Sequence, residues 1–215
     1  MSKITLTALL ALMLALGACR FGGIAGNGRI TTEQRSVTEF SEIEASGAVE
    51  VEWRNGAPAL SITTDENLLS HISSEVIGNR LRLRSHGNPW PTHGIKVLAS
   101  SPTRSSAELS GATRLIANQL AGQQFAVEST GAARVTLDGK VDTLLMETTG
   151  ASKVDAGTLQ TRNAEISTTG AAKVEVAVTD SLKVSITGAG KVTYIGNPPN
   201  IEKHVTGAGS IRHKE

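Results

Sequence analysis

Five basic side chains recur at one position of a repeated unit. Each stands three residues after the glycine of a Ser/Thr-Gly-Ala or related motif: Arg114, Arg134, Lys153, Lys173 and Lys191. Like charges that stack across neighbouring strands destabilise them, so an alignment of these residues calls for compensation. This repulsion can be offset in two ways. Nearby carboxylates can neutralise the charges, with candidates at Glu128, Glu147, Asp155 and Glu175, or the stripe can bind a repeating anion.

Cys19, the single cysteine of the chain, stands at the end of a short apolar leader. Lys3 precedes the apolar residues 4–15, which are too few for a membrane-spanning helix of about 20 residues but are typical of a signal peptide. The run Leu16-Gly17-Ala18-Cys19 resembles the lipobox of bacterial lipoproteins, which implies a diacylglyceryl group on the thiol and cleavage before it. A secretory leader with an incidental cysteine is the alternative, although a lone exported thiol is unusual.

Two pairs of carboxylates occupy equivalent positions of successive units. They are Asp155 with Glu175, and Glu128 with Glu147. Stacked strands would hold each pair about 5 Å apart, which is the separation in a retaining glycosidase. Both pairs fall on outward positions, where acids are ordinary, and few aromatic residues could stack on a sugar: Trp53, Trp90 and Tyr194. We therefore predict that the protein is not an enzyme, with a polysaccharide-active enzyme as the alternative.

Other catalytic and cofactor motifs are missing from the sequence. The run 188–191, Gly-Ala-Gly-Lys, has Ser185 and Val192 where a phosphate-binding loop needs Gly and Ser/Thr. No serine lies in a G-x-S-x-G motif. The histidines do not share a metal-binding spacing: His71, His86, His93, His204 and His213. The sequence predicts no bound metal and no cofactor.

A unit of about 19 residues repeats along the chain. Its glycines follow one another in steps of 18 to 20 residues: Gly111, Gly131, Gly150, Gly170, Gly188 and Gly207. An earlier copy, Ser46-Gly47-Ala48, lies 64 residues before Gly111. Because that gap is about three further steps, we expect intermediate units that have lost the motif.

Each unit has the pattern of two half-buried strands. Four and six residues after the glycine the side chains are mostly apolar, as at Val135 and Leu137, with a polar residue between them. A second alternating strand precedes each glycine. Two strands and a turn in about 19 residues leave no room for a crossover helix, so the pattern favours an all-β parallel β-helix (β-solenoid) over a hairpin meander or a leucine-rich repeat.

The order of these segments resembles a bacterial family described as "putative auto-transporter adhesin, head GIN domain", a domain of unknown function. The resemblance covers roughly residues 27–212 and is carried by residues 35–43, 46–51, 65–69, 81–83 and 95–97 and by the Thr-Gly-Ala units. It implies a right-handed β-helix at the cell envelope. The family's name also implies a weak link to adhesion.

The sequence divides into three parts. We predict a lipoprotein signal peptide at residues 1–18, a Gly-rich flexible tether at 19–27 and the solenoid at 28–215. Cleavage removes one of the 21 basic residues, Lys3, and leaves 20 basic and 20 acidic residues. That balance gives no reason to expect a nucleic acid as partner.

These observations together predict a binding or structural module of the cell envelope that acyl chains on Cys19 hold at a membrane. Arg20, rather than Asp, follows Cys19, which resembles the pattern of lipoproteins sent to the outer membrane. The partners we expect are lipopolysaccharide, an acidic glycan or an envelope protein.

Overall fold

The structure is a computed structural model that describes residues 22–215; Cys19 and the predicted signal peptide lie outside the described residues. Of the described residues, 73% lie in strands and 3% in a 3-10 helix at Glu66–His71. Nowhere between residues 22 and 215 is a helix long and apolar enough to cross a membrane.

The first nine strands belong to the N-terminal half of the chain. They are β1 (Ile24–Ala25), β2 (Ile30–Arg35), β3 (Glu42–Gly47), β4 (Val49–Asn55), β5 (Ala59–Asp65), β6 (Ile72–Ile77), β7 (Arg80–Ser85), β8 (Pro89–Trp90) and β9 (Ile95–Ser101). The remaining strands follow at shorter intervals. They are β10 (Ser106–Gly111), β11 (Arg114–Gly131), β12 (Arg134–Gly150), β13 (Lys153–Gly170), β14 (Lys173–Gly188), β15 (Lys191–Ile195), β16 (Asn200–Gly207) and β17 (Ser210–Lys214).

The repeated units stack in parallel and in register. β11 pairs with β12, β12 with β13 and β13 with β14, and each pairing places glycine opposite glycine, as Gly131 opposite Gly150. Positions four and six residues after the glycine are buried in these strands; Val135, Leu137 and Val174 have no exposed surface. The predicted β-solenoid and its inward and outward faces are therefore confirmed.

The order of the turns differs from the sequence-based expectation. β3 pairs directly with β10, with Gly47 opposite Gly111, so the expected intermediate units do not stack between these glycines. The intervening chain builds the N-terminal end of the solenoid instead. β7 pairs in parallel with β3 and β9 with β4, which adds one turn on the far side of β3 and β4.

Antiparallel strands then cover that end. β6 pairs with β7, β5 with β9 and β2 with β5, all antiparallel. Beneath them Trp53 stacks on Phe40 at a ring-centroid distance of 6.1 Å. The Nε1 atom of Trp53 donates a hydrogen bond of 2.8 Å to Ser101 Oγ, so this fully buried indole has no unsatisfied donor.

At the C-terminal end a charged side chain takes one inward position of the last turn, between the exposed apolar Ile201 and Val205. β16 and β17 form the last turn, and Lys203 occupies the position of the buried Val184 one turn earlier. The Lys203 Nζ atom lies 5.0 Å from the ring centroid of Tyr194, on which His213 also stacks. A charge at an inward position of an edge strand disfavours further strand pairing.

Residues 23–27, the last part of the predicted tether, pack against the domain. β1 pairs with β8, and the backbone nitrogen of Asn27 donates 2.9 Å to Asn67 Oδ1. A Cβ atom at Gly23 or Gly26 would collide with the side chains of Trp90 and Asp65. These glycines therefore permit close packing of the segment against the domain.

Candidate anion-binding site

The five predicted basic residues form one continuous column across the turns. Strand pairing places Arg114 opposite Arg134, and the column continues in register: Arg134, Lys153, Lys173 and Lys191. All are exposed except Lys191, which is half-buried, and Ser210 follows at the last turn. The structure thus brings together all the residues singled out from their spacing.

The glycine corner fixes the position of each basic residue. Gly131 has φ +113°, and the next strand begins three residues later, at Arg134. There the backbone nitrogen of Arg134 donates 2.9 Å to the carbonyl oxygen of Thr113, and that of Lys153 donates 2.8 Å to Ala133. Since the same bond recurs at Lys173 and Lys191, the column follows the backbone ladder from turn to turn.

Few carboxylates contact the column. The one ion pair that any of the five residues makes within residues 22–215 joins Arg114 Nη1 to Glu50 Oε2 at 4.0 Å. Glu175 instead accepts a hydrogen bond of 2.7 Å from Lys214 Nζ. Glu128 and Glu147 lie on the strand before the glycine, on the other side of the corner. The acids expected to neutralise the column do not pair with it.

Lys96 extends the column, and the sequence reasoning missed it. β9 pairs with β4 so that Lys96 lies opposite Glu50, which in turn lies opposite Arg114. The expectation of intermediate units between Gly47 and Gly111 hid this relationship. A local signal was present, because Ile95 and Val97 are buried on either side of the exposed Lys96. That segment, however, carries no glycine motif to reveal its register.

An open concavity of about 300 Å³ lies at this end of the column. Its charged and titratable lining consists of Glu50, His93, Lys96, Arg114 and Arg134. The rest of the lining is formed by Gly94, Ala48 and Ala112, which are small, and by Val49 and Ile95. Cations surrounding a single carboxylate can hold a phosphate or carboxylate group by charge-assisted hydrogen bonds.

The two carboxylate pairs are in register, as predicted. Asp155 lies opposite Glu175, and Glu128 opposite Glu147. The second pair lines a shallow concavity of about 240 Å³ together with the apolar Leu145 and other residues. Its volume is small for a polysaccharide cleft, and exposed acids on a sheet face are ordinary solvated residues.

Throughout the described part of the chain, no three His, Cys, Asp or Glu side chains lie close enough together to hold a metal ion. His93 lines the concavity beside Lys96, whereas His213 packs on Tyr194 at the C-terminal end. The lipid-bearing role predicted for Cys19 lies outside the residues that the structure describes.

Solved structures show the same fold. A "putative adhesin" from Bacteroides fragilis superposes with a TM-score of 0.74 at 21% identity, over 89% of this chain and 100% of that chain. A "putative adhesin" from Parabacteroides merdae superposes with a TM-score of 0.63 at 19% sequence identity, over 90% of this chain and 100% of that chain. A "putative lipid binding protein" from Parabacteroides distasonis superposes with a TM-score of 0.54 at 23% sequence identity, over 89% of this chain and 99% of that chain. At these identities the likeness concerns the fold alone.

Family membership rests on the sequence itself. None of the curated proteins matches the chain. The model of the family described as "Putative auto-transporter adhesin, head GIN domain" matches residues 39–198, which include the column from Lys96 to Lys191 and all but the last turn of the solenoid. The chain therefore belongs to the head GIN domain family of adhesin-like proteins.

Proposed function

We propose that this protein is a non-enzymatic binding module of the cell envelope whose basic column holds an extended polyanion. The observation that carries the proposal is the in-register column from Arg114 to Lys191, which is exposed except at the half-buried Lys191. Within the described residues, its last four members make no ion pair: Arg134, Lys153, Lys173 and Lys191. Repulsion within the column costs stability. A bound anion would offset that cost.

The dimensions of the column favour a polymer over a small molecule. Strands about 4.8 Å apart place Arg114 and Lys191 about 19 Å from each other, and Lys96 about 29 Å from Lys191. An acidic glycan or the phosphorylated sugars of lipopolysaccharide carry charges repeated over such lengths. The concavity between His93 and Lys96 would take one anionic group at the end of the ligand.

The same proposal includes the membrane anchor. The lipobox-like run that ends at Cys19 supports acylation of the thiol, and Arg20 supports transfer to the outer membrane. A Cys19→Ser variant should lose incorporation of a fatty-acid analogue and accumulate as an uncleaved precursor. Equal labelling of the variant and the wild type would contradict the anchor.

The binding proposal is tested by neutralising the centre of the column. Replacement of Arg134, Lys153 and Lys173 with Gln should weaken binding to lipopolysaccharide or an acidic glycan at least about tenfold and flatten its salt dependence, because salt screens exposed charges within about 8 to 10 Å. The control carries the same charge change elsewhere: Lys140, Arg162 and Arg212, all exposed, replaced with Gln. Equal weakening in both variants would show attraction to net charge alone and overturn the column as the site.

The competing function is cleavage of a polysaccharide by a stacked carboxylate pair. It predicts new reducing ends when the protein is incubated with acidic glycans, and loss of that release in a Glu147→Gln or Glu175→Gln variant. Binding without release of reducing ends is the result that our proposal expects.

A further inference from the structure

Trp90 marks the place where the chain enters the domain. Its side chain is 59% exposed, although it packs against the backbone of Gly23. The pairing of β1 with β8 sets Ala25 opposite Trp90, and the backbone nitrogen of Gly26 donates 2.9 Å to the Trp90 carbonyl oxygen. Residues 23–26, four to seven positions after the predicted lipid-bearing Cys19, therefore pass directly over an exposed indole.

A buried carboxylate makes this arrangement rigid. Asp65 has no exposed surface and accepts hydrogen bonds from the backbone nitrogens of Gly28 (2.7 Å) and Thr92 (2.8 Å). The Thr92 hydroxyl donates a third bond of 2.9 Å. Because one side chain holds both the entering segment and the loop that carries Trp90, the indole keeps a fixed position beside the chain entry.

We infer that Trp90 inserts into the lipid–water interface of the membrane that carries the protein. The inference rests on the proposed acylation of Cys19. Four peptide units separate Cys19 from Gly23 and span at most about 14 Å, while the headgroup layer on each face of a bilayer is about 5 to 7 Å thick. The entry point is thus close to the headgroups, where Trp is favoured because its ring is apolar and its N–H can still bond to water.

The charge of the loop fits an anionic surface. Residues 86–94 contain no carboxylate and two histidines, His86 and His93, so the loop meets no repulsion from acidic lipids.

Insertion of Trp90 would also fix the orientation of the basic column relative to the membrane. The N-terminal end of the solenoid would face the bilayer, and the basic column would start at Lys96 near the membrane and run away from it.

The chain provides its own internal reference for a test, because its two tryptophans differ in environment. Trp53 is fully buried and Trp90 is 59% exposed. Full-length acylated protein in phosphatidylcholine–phosphatidylglycerol vesicles should lose the Trp90 emission when brominated lipids are present. The remaining Trp53 emission should stay unquenched. A Trp90→Phe variant should then show no quenching at all.

Mass spectrometry of the same samples separates the two claims. Acylated protein that stays on the vesicles but shows no quenching of Trp90 overturns the interfacial contact and leaves the anchor intact. Protein without acyl chains overturns the anchor and, with it, the inference. Quenching that is lost in Trp90→Phe and kept in a Trp53→Phe variant supports the contact.

Discussion

Gly111 stacks directly on Gly47, although residues 48–110 separate them in the chain. A Cβ atom built on Gly111 would lie 2.9 Å from the carbonyl oxygen of Gly47, and that oxygen accepts a hydrogen bond of 3.0 Å from the Ala112 nitrogen. The same contact recurs between Gly131 and Gly111. Each glycine therefore meets two demands at once: a positive φ and a close approach to the backbone of the previous turn.

Gly131→Ala should destabilise the protein by about 2 to 4 kcal/mol, since alanine must adopt a left-handed conformation and push against the Gly111 carbonyl oxygen. Gly78→Ala is the matched control. Gly78 also has a positive φ, +64°, but nothing lies within 4 Å of its added Cβ, so the loss should be about 1 kcal/mol. Equal losses of unfolding free energy in urea would show that stacking contributes nothing.

Arg104→Met should cost about 2 to 4 kcal/mol. Arg104 is only 8% exposed, and its guanidinium donates to the carbonyl oxygens of Trp53, Asn118 and Gln119. These bonds lie where β11 is irregular, between Ala117 and Leu120. Burial lowers the pKa of Arg104, but the three carbonyl oxygens stabilise the charge of its guanidinium. Methionine would leave these carbonyl oxygens without their hydrogen bonds.

The control for Arg104 is an arginine on the surface. Arg162→Met removes an exposed ion pair of 2.9 Å with Asp180 and should cost less than about 1 kcal/mol. Thermal unfolding measures both variants. A loss at Arg104 no larger than that at Arg162 would contradict the bonding role of the buried guanidinium.

Neutralising the basic column should not destabilise the fold. Because Arg134, Lys153 and Lys173 form no ion pair within the described residues, their joint replacement with Gln should leave the melting temperature unchanged or slightly raised. Added salt should stabilise the wild type more than this variant, since it screens the repulsion.

Arg80→Gln provides the contrast to the column. Its guanidinium contacts Glu42 at 2.9 Å and Glu108 at 3.0 Å. The substitution should therefore reduce the free energy of unfolding by up to about 1 kcal/mol and lower the melting temperature. A column variant that is less stable than Arg80→Gln would mean that the column residues are structural partners, and would weaken the binding proposal.

Acid should loosen the entry segment through Asp65. Burial raises the pKa of the Asp65 carboxyl, but hydrogen bonds from Thr92 and Gly28 outweigh it and bring the pKa below the ordinary 3.8. A carboxyl with a depressed pKa contributes its stability above the ordinary value, and the contribution is lost as pH falls through the folded-state pKa. The Gly28 and Thr92 amide resonances should therefore titrate together below pH 3.8.

Asp65→Asn is the control for this titration. Asparagine can accept hydrogen bonds at one oxygen only, so the Gly28 and Thr92 amide resonances should already be shifted at neutral pH. They should also show no titration in acid. A wild-type transition centred above the ordinary value would contradict the depressed pKa.

The sequence by itself determined the repeating part of the fold. Alternation of apolar and polar residues, as at Val135 and Leu137, assigns the inward face because side chains alternate along a strand. The regular glycine steps then set the register, so the column from Arg114 to Lys191 could be read from spacing alone. These are local properties, repeated often enough to predict the stacking of identical units.

Only the tertiary structure decided the order of the turns and what lies at the ends. A gap of about three repeats is compatible with three further turns or with a chain that folds back, and the difference depends on pairing between distant strands. That pairing put Gly47 beneath Gly111 and added Lys96 to the column. The docking of residues 24–27 and the carbonyl contacts of Arg104 likewise arise from long-range packing, which no local pattern encodes.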